Sequence, residues 1–406
     1  MSAAAETIPD TYHPLTADAV PAYLGTRPEW QGQVGSSAPQ VSEVGDGNLN
    51  LVFIVRAEPR RPGIVLKQSL PWVRVHGESW PLTLERAARE AHAYEVYSRF
   101  AAEFIPRYHG FDAQRYVVAM EDLADLQVWR AALNAGEIHA DAAAAMGTFV
   151  ARVAFWTSDF GMAPQDRKLL AAASVNPELC QITEDLVLTE PYIEHERNWH
   201  HPPLQPLVDE LRSDPAVRLE VAELKHRFLT HSEALIHGDL HTGSVMVGGG
   251  RAVAIDPEFA FYGPIGFDLG ALWANAVIAA ARADRLGRDA AFREHVAAIL
   301  PDSWEAFGVE LGRLWPQRVN TFFPDAFLER HLDAVWPDAL GYAATKAIRR
   351  MIGYAHVSDI ETLDEPQRSS AAGAVLRAAR ALLLDRTAIH TPADAWQRVT
   401  DALAKA

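Results

Sequence analysis

Near residue 124 the chain changes character, and that change constrains its fold more than any single motif. Before it, apolar and polar residues alternate in short runs punctuated by glycine and proline; after it the sequence is alanine-rich and favours helix. "PQVSEVGDGNLNLVFIVRAE" alternates on both sides of Gly45-Asp46-Gly47-Asn48, the pattern of two antiparallel strands joined by a glycine-bearing turn. A third strand is expected in "GIVLKQS", a helix in "LERAAREAHAYEVYSRFAAE", and two further strands in "FDAQRYVVAMEDL", with "YVVAM" the buried one. Residues 35–123 thus read as a small, mostly antiparallel sheet with one helix. Residues 1–30 read as a polar leader carrying a short helix around "TADAVPAYL". In the second part, "VMVGGGRAVAID" reads as a short hairpin turned by Gly248-Gly249-Gly250 within helical surroundings. The expected class is α+β with two lobes: a strand lobe over 1–123 and a larger helical lobe over 124–406.

Composition narrows the partners. A net charge of −16 argues against nucleic acid, because a phosphate backbone needs a basic face. An anionic substrate such as ATP stays compatible if lysines and arginines gather locally and a metal assists. The single cysteine, Cys180, excludes an intrachain disulfide and reads as a buried small residue. "MSAAAETIPDTYHPL" lacks a basic segment followed by an apolar run, so no signal peptide is expected. No run of eighteen apolar residues occurs, so no spanning helix and no membrane partner are expected; the default location is the cytoplasm.

Chemistry concentrates in "LIHGDLHTGSVM", residues 235–246, where His237, Asp239 and His241 alternate. Imidazole and carboxylate are common metal ligands, but histidines in such a loop more often hold it by hydrogen bonds to backbone carbonyls. Asp256 ends the apolar run "AVAID", and a hairpin between it and Asp239 brings both carboxylates to one edge. Phosphoryl transfer from ATP needs that pair, one to orient the acceptor hydroxyl and one to hold Mg²⁺ on the phosphates. It also needs a cation for the donor phosphates: Lys67 in "IVLK", with Glu90 as its partner from the following helix. The end of "VAMEDL" is placed to offer backbone groups to adenine. Trp72 and Trp80 lie in the Pro- and Gly-interrupted segment 71–82, which suits a loop covering a ligand as well as it suits core aromatics. Asp268 in "GFDLGAL" reads as structural, capping a helix and bonding the 235–246 loop. Arg349 and Arg350 lie in the apolar helix "AATKAIRRMIGYAHV"; adjacent helix residues point about 100° apart, so at least one turns inward.

"GDGNLN", "GESWPLT", "HGDLHTGSVM" and "DPEFAFYGPIGFD" together resemble the signatures of the 5-methylthioribose kinases, protein-kinase-like enzymes related to choline and aminoglycoside kinases. The resemblance runs from about residue 40 to 360. It implies transfer of the ATP γ-phosphoryl group to the 1-hydroxyl of 5-methylthioribose in methionine salvage, with Mg²⁺, by a cytoplasmic homodimer. It further implies that Asn50, Lys67 and the hinge Glu121-Asp122-Leu123 bind ATP and that Asp239 is the catalytic base contacting the sugar. Asp256-Pro257-Glu258 would bind Mg²⁺-ATP through the Asp256 and Glu258 carboxylates, and Arg349 with Arg350 would bind the sugar. Where related kinases carry a metal-binding asparagine five residues after the catalytic aspartate, this chain has Ser244, and Glu258 is the expected substitute ligand.

Three rivals fail on sequence. A metallophosphoesterase shares the Gly-Asp-x-His of "GDLH" but also needs an upstream Asp-x-His and a downstream Gly-Asn-His, and the chain has neither. A protein kinase needs a long activation segment, but only "PEFAFYGPIGF" separates Asp256 from Asp268. A catalytically dead module is disfavoured because Lys67, Asp239 and Asp256 are all present. A choline or aminoglycoside kinase remains the alternative.

Overall fold

The computed structural model describes residues 8–9, 12–35, 38–45, 49–58, 61–74 and 77–405. The expected turn at Asp46-Gly47-Asn48, and Val75 and His76 of the Trp-rich segment, lie outside the described residues.

Alternation before residue 124 resolves into five strands: β1 (Gln40–Glu43), β2 (Asn50–Arg56), β3 (Ile64–Ser69), β4 (Tyr108–Asp112) and β5 (Val117–Glu121). They form one sheet in the order β1-β2-β3-β5-β4, antiparallel at every pairing. Period two then assigns the faces. Phe53, Val55, Ile64, Leu66, Val117 and Ala119 point one way; Val65, Lys67, Val118 and Met120 point the other. The second face receives helix α3 (Arg86–Tyr97) and carries the chemistry.

The first face corrects the reading of residues 1–30 as a polar leader. Helices α1 (Val20–Gly25) and α2 (Pro28–Val34) cover it, burying Leu15, Val20, Tyr23, Leu24, Trp30 and Val34 against the sheet. Polar groups fix the cover: Leu15 N donates to Gln68 Oε1 at 2.7 Å, and Tyr23 Oη donates to Asp112 Oδ2 at 2.8 Å. Each large side chain so buried is worth roughly 1.5–3 kcal/mol. An uncovered apolar sheet face would forfeit that, which is why this segment folds although its apolar residues follow no clear period.

The helical part comprises α4 (Trp129–Ala135), α5 (Ala142–Thr157), α6 (Pro164–Ala173), α7 (Pro177–Leu186), α8 (Gln205–Ser213), α9 (Pro215–Thr230), α10 (Gly266–Arg285), α11 (Ala290–Leu314), α12 (Phe327–Ile352), α13 (Ser358–Glu361), α14 (Gln367–Asp385) and α15 (Pro392–Ala404). Helix α10, buried nearly all round, is the hub against which α12 packs. Their approach depends on Gly270: a Cβ there would stand 2.7 Å from both Ala339 O and Tyr342 Cβ. Closeness at this crossing sets where α12 delivers its cationic residues. Among the described residues no helix is long and apolar enough to cross a membrane. Cys180 in α7 is half-buried rather than buried.

Short strands thread the helices: β6 (Gln127–Val128), β7 (Ala234–Ile236), β8 (Val245–Gly248), β9 (Arg251–Ala254) and β10 (Phe261–Gly263). The β8–β9 hairpin turns at Gly249-Gly250, both at positive φ (55° and 75°), as a tight two-residue turn requires. The Asp239 loop is entered from β7, which pairs antiparallel with β10. A strand anchors a loop entrance more firmly than a fraying helix end, because its backbone groups are bonded across to a second strand.

Candidate active site

Two clusters of charge form around Lys67 and Asp239, and their net signs are opposite. The first is built on β3 and α3. Lys67, directed to the α3 side by strand alternation, lies 2.8 Å from Glu90 Oε2, forms an ion pair with Asp256, and is 3.9 Å from Glu258. The expected Lys67–Glu90 pair is therefore formed. Burial alone would lower the Lys67 pKa, but Asp256, Glu90 and Glu258 outweigh it and hold the ammonium well above the usual lysine range. Burial and the neighbouring carboxylates push Glu90 and Glu258 up. Oxygens of Glu90, Asp256 and Glu258 lie within 4.8 Å of one another. Three converging carboxylates suit a hard dication, which prefers charged oxygen.

Asp256 adopts a left-handed backbone, φ 66° and ψ 51°, a region that aspartate tolerates better than most residues. Its N–H donates to Tyr94 Oη at 3.0 Å, which holds the bend, and its side chain stays substantially exposed. Pro257 and Glu258 continue into a short 3₁₀ turn. Glu258 is buried and oriented by Asn50, whose Nδ2 donates to Oε2 at 2.8 Å.

Arg86 was not anticipated. Its side chain is wholly buried beneath Asn50 and Glu258. Nη2 donates to Asn50 Oδ1 at 2.9 Å and to Leu49 O at 2.8 Å; Nη1 donates to Leu70 O at 2.7 Å and Thr83 O at 2.6 Å. Leu70 and Thr83 flank the Trp-rich segment on either side, so one guanidinium staples the base of that loop and orients a carboxylate. Its only sequence signal is the i, i+4 spacing from Glu90 in an amphipathic helix.

The second cluster surrounds Asp239. Lys346 Nζ is 2.8 Å from Asp239 Oδ1 and 4.5 Å from the centre of the Phe267 ring. Burial would raise the Asp239 pKa; Lys346, with Arg350 and Arg349, reverses that and holds the carboxyl well below the usual range. Arg349 and Lys346 are buried, and Arg349 Nε has no hydrogen-bond partner among the described residues. Arg130 Nε lies 3.2 Å from buried Asp359 Oδ2. Lys346 was also missed, although 346, 349 and 350 share one helical face in a run otherwise apolar.

The clusters are tied through the loop. His237 Nε2 contacts Ile255 O at 2.9 Å, joining the residues before Asp239 to those before Asp256. Asp268 accepts from His237 N at 2.7 Å and Gly238 N at 2.9 Å, the expected bond to this loop. His241 Nε2 is 3.4 Å from Asp239, and its Nδ1 meets Ser244 Oγ at 3.2 Å; burial keeps this imidazole neutral. Neither loop histidine belongs to a metal-type cluster among the described residues.

Of the hinge residues, Asp122 turns its carboxylate onto Arg56 and Gly63 N, so its side chain latches the sheet edge. Glu121 Oε2 accepts from Arg107 N at 3.0 Å, and Leu123 O accepts from Leu126 N at 3.0 Å. The Trp-rich loop closes on itself through Val73 N to Trp80 O at 2.9 Å. It also reaches the helical lobe: the Trp80 ring lies 5.4 Å from Tyr354 and 5.3 Å from the Arg197 guanidinium. A separate cavity of about 340 Å³ between α8, α14 and α15, lined by Leu211 and Arg380 among others, contains none of these groups.

A lysine-bridged acidic cluster paired with an aspartate among cations suits transfer of a phosphoryl group. Residues 40–307 match the model of the phosphotransferase enzyme family. The chain is 42% identical over 347 residues to a methylthioribose kinase of Geobacillus kaustophilus, covering 85% of this chain and 86% of that protein. It is 42% identical over 385 residues to a methylthioribose kinase of Yersinia pseudotuberculosis, covering 92% and 93%. Among solved structures, a choline/ethanolamine kinase family protein from Mesorhizobium loti aligns over 96% of this chain and 99% of its own, at 17% identity and a TM-score of 0.41. With an antiparallel sheet lobe followed by a helical lobe, the chain belongs to the methylthioribose kinases, within the phosphotransferase enzyme family.

Proposed function

We propose that the protein transfers the γ-phosphoryl group of ATP to the 1-hydroxyl of 5-methylthioribose, giving 5-methylthioribose 1-phosphate and ADP in methionine salvage. The observation that carries this reading is Asp239, kept ionised by Lys346 and two arginines and tied through His237 to the segment bearing Asp256. Lys67, positioned by Glu90, binds the donor phosphates, and the backbone of 121–123 receives adenine. Asp256 and Glu258 would hold Mg²⁺, with Asn50 acting on nucleotide through its grip on Glu258. When bound, that ion neutralises charge on the phosphates.

A carboxylate with so low a pKa is a weak base. That suits a loose transition state, in which the acceptor hydroxyl need only be aimed and its proton is lost late. Asp239 therefore accepts a hydrogen bond from the sugar hydroxyl and takes the proton as the new O–P bond forms. Arg349 and Arg350 bind ring hydroxyls and stabilise charge on the transferring group. We place the lobe division at 123/124 and, on the family resemblance, read the protein as a cytoplasmic homodimer.

A coupled ADP-release assay with methylthioribose, ribose, choline and an aminoglycoside tests the assignment. Methylthioribose should give the highest kcat/KM, and chelation should stop turnover until Mg²⁺ is restored. Preference for choline or the aminoglycoside would overturn the substrate assignment.

A further inference from the structure

At the α12–α13 link three side chains converge that the phosphoryl-transfer reading does not use. His201 precedes a 3₁₀ turn leading into α8, His356 lies between α12 and α13, and Glu361 ends α13. His356 Nδ1 is 2.8 Å from Glu361 Oε1, and His201 Nε2 is 3.1 Å from both Glu361 oxygens. The three ligand-type atoms lie within 4.8 Å of one another, and the group is only partly shielded from solvent.

The bonding on the other side of His356 decides what this cluster lacks. Its Nε2 is 3.1 Å from the carbonyl oxygen of Trp199, which can only accept. Nε2 therefore carries the hydrogen, and in a neutral ring Nδ1 presents a lone pair to a carboxylate oxygen. The Trp199 ring, stacked on His356 at 3.5 Å and 7°, locks that orientation. Two acceptors at 2.8 Å need a cation between them, either a proton or a metal.

We propose that His201 Nε2, His356 Nδ1 and the Glu361 carboxylate form a binding site for Zn²⁺, with water as fourth ligand. Two imidazoles and one carboxylate match the donor preference of zinc and not that of Mg²⁺. Bonds of about 2.0–2.1 Å at a tetrahedral angle put ligand atoms about 3.3 Å apart. The present 2.8 and 3.1 Å separations need open by only a few tenths of an ångström. The Nε2–H on a backbone carbonyl is the outer partner that metal-bound histidines commonly have. The ion would fasten segment 199–201 to the α12–α13 link. It would thereby fix Tyr354, which meets Trp80 of the Trp-rich loop.

Full-length protein stripped with chelator and held in excess Mg²⁺ is titrated with Zn²⁺ by calorimetry, and with Co²⁺ by visible absorption. One equivalent per chain, the intense bands of four-coordinate cobalt and a rise in Tm with Zn²⁺ are expected. His201→Gln, His356→Gln and Glu361→Gln, each checked for folding by near-ultraviolet circular dichroism, should each lose all three. Absence of binding to the parent would overturn the proposal and leave a proton-bridged triad. Equal binding by the three variants would overturn it by placing the metal elsewhere.

Discussion

Replacing Lys346 with Met keeps the length of the stem that passes the Phe267 ring and removes only the ammonium. At 2.8 Å the Lys346–Asp239 attraction is about 6 kcal/mol for an effective dielectric of about 20. Desolvation of both partners offsets much of this, and breaking a buried pair costs about 3–5 kcal/mol in practice. The lower end applies, since Asp239 is partly exposed and Arg349 and Arg350 remain nearby. The sign on pH follows. Asp239 has a depressed folded pKa, so its contribution to stability is present above the ordinary carboxylate value of about 4 and is lost as pH falls through the folded value. Without Lys346, burial is less opposed and the carboxyl titrates higher. The acid limb of kcat should therefore move to higher pH, and kcat at neutral pH should fall by about 10²-fold with ATP KM little changed. Stability is read by urea unfolding in four proteins: parent, Lys346→Met, Asp239→Asn and the double variant. Lys346→Met should cost much less in the Asp239→Asn background than in the parent. Equal cost in both backgrounds, together with an unmoved pH profile, would refute the coupling.

Asp256→Ala should abolish Mg²⁺-dependent nucleotide binding while Glu258→Gln weakens it, because the Asp256 carboxylate is the more exposed of the two; Mg²⁺ titrations of both variants by calorimetry check the order. Arg86→Met leaves carbonyls at both ends of the Trp-rich loop without their donor and removes one of the two cations beside Glu258, Lys67 remaining at 3.9 Å. It should speed hydrogen exchange in 70–83 and raise ATP KM about tenfold or more, and unchanged exchange would count against the staple. His331, whose buried Nε2 has no partner among the described residues, has its pKa pushed down to about 4 by burial. The unfolded chain thus binds the extra proton between about pH 6.5 and 4, and stability should fall across that window by at most about 1.4 kcal/mol per pH unit; His331→Phe should flatten it in a pH series of Tm values.

Legibility in the sequence followed how local each cause is. Strand alternation, the Gly249-Gly250 turn and the Asp239 and Asp256 motifs are fixed by neighbours along the chain, and each could be read directly. The sheet cover over 12–34 could not, because its apolar residues acquire meaning only from a face built by β2, β3 and β5. Asn50 illustrates the same limit. Its position was marked, but its amide is spent on Glu258 and Arg86, a geometry that needs α3 and the 256–258 turn in place. Arg86 and Lys346 each sit at helical spacing from a charged residue that was recognised. Periodicity could have flagged both, while their partners could not be named from it.

The division of charge between the two clusters constrains how substrates are received. On the sheet side Glu90, Asp256 and Glu258 face Lys67 and Arg86, so carboxylates outnumber cations. Around Asp239, Lys346, Arg349, Arg350 and Arg130 meet Asp239 and Asp359, so cations outnumber carboxylates. On the proposed function, free nucleotide polyphosphate approaching the first side would meet like charge, so a dication would come with it or precede it. On the proposed function, a phosphoryl group transferred toward Asp239 would pass from a region short of positive charge into one with a surplus. In a chain of net charge −16, that surplus is local and must be held by burial, which is what α12 packed on α10 supplies. The low pKa of Asp239 then follows from the same cations that the proposed function assigns to the phosphoryl group. A strong base and a phosphate-stabilising pocket cannot occupy this spot together, and the geometry favours the pocket.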